Sequence, residues 1–176
     1  ALPRAASAMV AHAVPRLIAD PADVATQKIL LAARAANVSL ELQARPGVPE
    51  LHVSGARVVR YTNAILRCIG RFYEDSDIYG SSFIEASQVD GWLDFADMEL
   101  SRPRPPQLQQ ALEALERHLE GRVFLVGQRF TLADAAVSCS LHHYERQGVA
   151  QLPRATKRWL STCEALEAFK AAAPAA

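Results

Sequence analysis

Apolar positions alternate in short runs through the first third of the chain and recur at three- to four-residue steps through the rest. The stretch Val-Pro-Arg-Leu-Ile-Ala-Asp, residues 14–20, predicts a strand that Pro21 and Asp23 punctuate. Ile29, Leu30, Ala33 and Ala36 then predict a helix over 24–36 with one apolar face. Residues 39–43 alternate as a second strand, and Pro46-Gly47 turns the chain. Residues 49–53 and 57–59 flank the Ser54-Gly55 turn as an antiparallel hairpin. Thr62 stands before Ala64, Ile65, Cys68 and Ile69, so it is the expected N-cap of a helix running to Phe72. The first half therefore reads β-α-β-β-β-α.

Residues 73–80 carry Glu74, Asp75, Ser76, Asp77 and Gly80, a polar connection with turn chemistry, and every long segment beyond it has helical period. Ile84, Trp92, Phe95 and Leu100 are expected to line the buried side of a helix over 83–100, which the proline-rich stretch 102–106 ends. Leu108, Leu112, Leu115 and Leu119 form one seam of a second helix. Thr131-Leu132-Ala133-Asp134 predicts a capping box: a threonine cap with an acid three residues on, able to reach back to the cap's own N–H. A last helix after Pro153 is expected to carry Trp159, Leu160, Cys163, Leu166 and Phe169 inward.

Half of the residues are hydrophobic and 19 basic side chains balance 19 acidic ones, which excludes a disordered chain and leaves no global excess of positive charge for nucleic acid. Cys68, Cys139 and Cys163 are odd in number, widely spaced and set in apolar stretches, the pattern of core thiols in a reducing compartment. No apolar run reaches the roughly 20 residues of a membrane span; that from Ile29 to Ala33 is broken by Arg34. Residues 1–13 read as a disordered tail or an appended end. The acid-free stretch 1–19, with Arg4, Ser7 and Arg16, has only a faint likeness to an organellar transit segment.

Candidate chemistry is sparse. The chain has no Gly-x-Ser-x-Gly elbow, Gly-rich phosphate loop, His-Glu-x-x-His or Cys-x-x-Cys. Cys139 with His142, flanked by His143 and Glu145, approaches metal spacing, but two further ligands are not apparent, so no metal is expected. Asp90, Asp94 and Asp97 share one helix face, read as a solvated side opposite Trp92. Trp92 and Trp159 read as core anchors. With Trp159, Cys163 and Leu166 inward, Arg154, Arg158, Ser161 and Thr162 project outward. An accessible guanidinium at Arg158 is either solvated or meets a partner.

The β-α-β-β-β-α half, the Val48-Pro49 dipeptide opening a strand, the Ala64-Ile65 helix start, the all-helical half and the Thr131-x-x-Asp134 box together resemble the glutathione transferase fold. The resemblance implies an α+β, thioredoxin-like N-terminal half over 14–72, a linker over 73–80 and an all-α C-terminal half over 81–172. It also implies a cis bond before Pro49, with the backbone of Val48 at the place where the family pairs with glutathione. The departures bear on function. The loop after the first strand reads Asp20-Pro21-Ala22-Asp23-Val24-Ala25, without the Tyr, Ser or Cys that holds the glutathione thiolate, and Thr26 is the only hydroxyl nearby. Tyr61-Thr62 replaces the family's Glu-Ser. Residues 44–48 are too few for the usual second helix. Val48, Pro49, Tyr61 and Thr62 are accordingly expected to be vestiges of a glutathione site, and no cofactor is expected.

A narrower match covers Tyr79-Gly80-Ser81-Ser82, residues 89–96 (Val-Asp-Gly-Trp-Leu-Asp-Phe-Ala), Phe124-Leu125-Val126-Gly127, the capping box and Lys157-Arg158-Trp159-Leu160. These resemble the N-terminal transferase-like domain of eukaryotic cytosolic glutamyl-tRNA synthetases, including the glutamyl-prolyl fusion form. Related domains occur in methionyl-tRNA synthetase, auxiliary proteins of the multi-synthetase complex and elongation factor 1B gamma. The resemblance implies a noncatalytic, cytoplasmic protein–protein interaction domain. It would dock to transferase-like domains of a tRNA-binding cofactor or another synthetase, or to a second copy, and meet tRNA only indirectly. One docking surface would lie on the helix from Asn63, including Arg67, the other on Arg158 with Arg154 and Thr162. The alternatives are a glutathione-dependent transferase or an elongation-factor subunit.

Overall fold

The computed structural model describes residues 14–54, 56–72, 76–102 and 104–172. The expected tail, and parts of the expected linker, lie outside them. Four strands and a helix pair come first: β1 (Arg16–Ala19), α1 (Val24–Ala35), β2 (Glu41–Ala44), β3 (Glu50–Ser54), β4 (Arg57–Arg60) and α2 (Thr62–Phe72). Five helices follow: α3 (Phe83–Met98), α4 (Pro105–Leu119), α5 (Leu132–Arg146), α6 (Arg154–Glu164) and α7 (Glu167–Ala172).

The sheet has the order β2-β1-β3-β4, with β1 parallel to β2 and antiparallel to β3. Alternation sends Leu17, Ala19 and Leu51 to the helix-covered face, where all three are buried. Residues 45–49 turn from β2 to β3 without a helix. The opposite face is polar: Glu50 binds Arg45 at 2.9 Å, Arg60 at 3.0 Å and His52 at 3.4 Å, and Arg16 pairs with Gln43 across β1 and β2. An uncovered sheet face that carries paired charges stays wetted. The hydrogen bonds from Arg60 and Arg45 hold the Glu50 carboxyl down at about 2.

The helical half is organised around α5, whose residues from Leu132 to Leu141 are all buried against α1, α3 and α6. Pro105 and Pro106 start α4, since a proline in the first turn loses no intrahelical bond. Its leucine seam at 108, 112, 115 and 119 is buried as the spacing predicts. The Ser82 hydroxyl caps α3 by accepting from the Glu85 N–H at 3.2 Å.

Four expectations about local structure are corrected. Thr62 is the first helical residue of α2 rather than its cap, because Tyr61, with φ of 70°, places its carbonyl to accept from the Ile65 N–H. The buried face of α3 is Val89, Leu93 and Ala96; Ile84 is exposed, and Trp92 and Phe95 are half-buried. The helix face turned to α5 is thus one step round from the bulky side chains that suggested it. The apolar spacing from Trp159 to Phe169 spans two helices, α6 and α7, both facing the same core, so the break at 165–166 leaves no mark in the periodicity. Finally, the described residues contain no cis peptide bond, so the bond before Pro49 is trans. Trans is favoured by about 0.5–1 kcal/mol at an X–Pro bond.

Candidate functional site

The site expected from the vestigial residues is a cleft of about 540 Å³ where three connections converge. The loop from β1 to α1 supplies Asp20 and Asp23, the turn before β3 supplies Val48 and Pro49, and the start of α2 supplies Tyr61 and Thr62. Asn63 and, from α3, Asp97 complete the wall. Three carboxylates and no cationic side chain therefore line it. Asp20 and Asp23 are held by the chain itself: Asp20 Oδ1 accepts from Ala22 N–H at 2.9 Å, and Asp23 Oδ1 caps α1 through Ala25 N–H at 3.0 Å. The N-terminus of α1, whose partial positive charge attracts anions, is thereby covered by the protein's own carboxylate. Thr26 points elsewhere, being buried within α1.

Tyr61 holds a left-handed backbone that a bulky side chain rarely adopts. Its N–H donates to the Pro49 carbonyl at 3.3 Å and its carbonyl receives Ile65, so bonds on both sides fix the conformation. Lys28 of α1 is also buried. Burial lowers the pKa of its ammonium, while Cys139, Asp97 and Asp23 pull the other way.

The two expected docking surfaces differ in their engagement. On α2, Asn63 Nδ2 donates to the Leu93 carbonyl at 3.2 Å and Arg67 Nε donates to Asp90 at 2.6 Å, with Asp94 at 3.7 Å. The Tyr79 hydroxyl also donates to Asp90, at 2.8 Å. Both α2 side chains thus fasten α2 to α3. The acidic stripe is not a uniformly solvated side either: Asp90 is bonded, Asp94 faces Arg67, and Asp97 turns to the cleft.

On α6, Arg154, Lys157 and Arg158 are exposed, and Thr162 is half-buried with its hydroxyl on the Arg158 carbonyl. Arg158 has a second attachment. Its Nη2 donates to the carbonyls of Leu119 at 2.8 Å and Arg122 at 3.0 Å, where α4 ends. In return Glu116 of α4 accepts from the N–H groups of Ala155 and Thr156, both at 2.8 Å, and from the Thr156 hydroxyl. Each helix satisfies the other's orphan terminal groups. Burial raises the Glu116 pKa, but these donors and the Arg158 charge outweigh it and the net shift is downward.

Asp134 is the hub of the core. Its carboxylate accepts from Thr131 N–H and hydroxyl, from Leu125 N–H at 2.9 Å and from Trp159 Nε1 at 2.9 Å. Burial pushes its pKa up, while four donors, all matched to the ionised form, oppose that. Trp159 is buried against it, whereas Trp92 lies half-buried edge-on to His118 at 4.7 Å. The three cysteines are free, and no group of three His, Cys, Asp or Glu side chains among the described residues is placed to hold a metal. His142 instead pairs with Glu164 at 2.6 Å.

Sequence reasoning missed Glu116, Asp97 and Lys28. Glu116 and Asp97 look like surface charges on amphipathic helices, and nothing local signals a contact 39 residues away.

With this geometry in view, the likeness to known proteins is specific. A glutathione transferase from Xylella fastidiosa superposes with a TM-score of 0.79, covering 90% of this chain and 96% of that one at 17% identity. The fold is that of the glutathione transferases. Residues 103–167 match the family model for the glutathione S-transferase C-terminal domain. Among curated proteins, elongation factor 1-gamma of Trypanosoma cruzi is 32% identical across 80% of this chain and 43% of its own length. The bifunctional glutamate/proline–tRNA ligase of Mus musculus is 31% identical across 68% of this chain and 8% of its own. The chain thus spans less than half the length of either relative. Among the described residues no helix is long and apolar enough to cross a membrane.

Proposed function

We propose that this transferase-fold chain is a noncatalytic docking domain of the translation machinery, which binds transferase-like domains of partner proteins in the cytoplasm. The observation that carries it is the wall of the cleft, which holds Asp20, Asp23 and Asp97 and, on the β1–α1 loop, no hydroxyl or thiol for a glutathione sulfur. The relatives' printed names, an elongation factor and a tRNA ligase, support the link to translation.

The motif resemblance favours the N-terminal appendage of a glutamyl-tRNA synthetase as the parent, with aminoacylation carried by residues outside this chain. Tethering of this kind acts by raising effective concentration. A second reading, an elongation factor 1-gamma type subunit, is favoured by the longer alignment to the Trypanosoma cruzi protein. The full-length transcript separates them: a class I synthetase catalytic domain supports the first, and its absence the second.

The docking surface we favour is the basic face of α6, since Asn63 and Arg67 are committed to α3. Arg158→Ala alone would confound docking with the loss of the α4 bond, so the test is Arg154→Glu with Lys157→Glu. Binding to transferase-like translation proteins should fall at least tenfold while the melting temperature is unchanged. Unaltered binding rejects this surface. Retention on glutathione resin, or turnover of a chlorodinitrobenzene-type substrate, rejects the noncatalytic reading.

A further inference from the structure

β2 is an edge of the sheet: its four residues are all exposed, and among the described residues β1 is the only strand beside it. The Glu41 N–H donates to the Pro15 carbonyl at 2.9 Å and the Arg45 N–H to the Ala19 carbonyl at 3.0 Å, both towards β1. Alternation along the strand therefore turns the N–H and C=O groups of Leu42 and Ala44 outward, where they form an open ladder. Side chains alternate too. Leu42 shares a register position with Leu17, on the helix-covered side of the sheet, and is 37% exposed at its rim. Glu41, Gln43 and Arg45 stand on the polar face.

This edge is complementary to itself. A second β2 laid antiparallel about a two-fold axis at Gln43 sets Leu42 opposite Ala44 as a hydrogen-bonded pair, with both side chains on the apolar side. The same register sets Glu41 opposite Arg45 in a non-hydrogen-bonded pair, whose Cα atoms approach to about 4.5 Å, and opposite charges so placed attract. Other registers lose this match: an axis at Leu42 places Glu41 opposite Gln43, and parallel strands in register place Glu41 beside Glu41. Pro46, having no N–H, ends the ladder. Arg45 binds Glu50 within its own chain, but Arg60 holds the same carboxylate at 3.0 Å, so Arg45 can turn to a new acid without stranding Glu50. The opposite edge, β4, carries Arg57 and Arg60 at its two ends and no acid, so an antiparallel copy of it is repelled.

We propose that two copies of this chain associate through their β2 edges, antiparallel about Gln43, into one continuous sheet. The contact uses no side chain of α6 and does not depend on the docking reading. Two edges of four residues bury less than the roughly 1,200 Å² of a stable complex, so the dimer forms reversibly and at high concentration.

The test is sedimentation of the chain from about 10 μM to about 1 mM, the span in which a small interface associates. Amide exchange is followed residue by residue over the same range. The dimer fraction should rise with concentration, and exchange at Leu42 and Ala44 should slow with it, while Glu41 and Arg45, already bonded to β1, do not change. Glu41→Arg and Arg45→Glu should each weaken self-association about tenfold, since each turns both cross-strand pairs into like charges. Mixed together, the two variants should associate as the unaltered chain does, because the heterodimer restores both pairs; circular dichroism checks that each is folded. Arg154→Glu with Lys157→Glu should leave the dimer intact, which separates this contact from the α6 face. A chain that stays monomeric to about 1 mM overturns the proposal and leaves β2 only to a strand from a different protein. Dimers in which Leu42 and Ala44 exchange as fast as in the monomer, or folded charge variants that associate no better mixed than alone, overturn it as well.

Discussion

Asp134 concentrates more of the fold's specificity than any other polar side chain described. It joins the start of α5, the loop at Leu125 and the Trp159 indole through one buried carboxylate. Asp134→Ala should cost about 3–5 kcal/mol, because it strands buried donors as well as removing bonds; chemical denaturation measures it. Asp134→Asn should cost less, keeping one acceptor oxygen. The Glu116 and Arg158 contacts are smaller in scale: Glu116→Ala removes the cap of α6 and should destabilise by about 1–2 kcal/mol, the usual loss for an N-cap. Acid acts on the same groups. Glu116 and Glu50 both titrate below their unfolded values, so their contribution is complete above about pH 4.5 and disappears as pH falls, for Glu50 through about 2. Thermal melts between pH 5 and 2 should decline accordingly, and Glu50→Gln should flatten that decline.

At the scale of elements, two glycines in helices have opposite prospects. A Cβ at Gly70 of α2 would lie 2.8 Å from the Tyr79 Cβ and 2.9 Å from Leu132 Cδ1, so Gly70→Ala should lose about 1–3 kcal/mol by overpacking. Gly91 of α3 faces open space, and Gly91→Ala should gain about 0.5–1 kcal/mol from helix propensity alone. Paired unfolding curves check both. The elements were largely legible because each obeys a local rule: the Thr131 box begins α5, Pro105 begins α4, and the leucine seam of α4 faces in. What escaped was non-local. Trp92 and Phe95 pack on the core from the flank of α3, whereas its fully buried face is the smaller Val89, Leu93 and Ala96, which size alone does not single out. Val48, Pro49, Tyr61 and Thr62 could be named from the chain, but their convergence with Asp97 across the α2–α3 pair could not.

Across the whole molecule, a transferase fold carries a cleft walled by Asp20, Asp23 and Asp97. Calorimetry with glutathione at neutral pH should show no saturable heat. A variant with Asp20, Asp23 and Asp97 changed to Asn should still bind little, since the sulfur would find no hydroxyl or thiol on the β1–α1 loop. Recovery of tight binding in that triple variant would show that charge alone closed the cleft. Carboxylates line the cleft, whereas Arg154 and Lys157 stand exposed on α6.

The double attachment of Arg158 has its own outcome. A visitor that draws this guanidinium onto itself takes the Arg158 donor from the Arg122 carbonyl and leaves the Leu119 carbonyl only the Arg122 N–H, so the last turn of α4 loosens as the complex forms. Occupancy and loosening then share one equilibrium. Amide exchange around 119–123 becomes a reporter of capture, read from backbone that the visitor never touches.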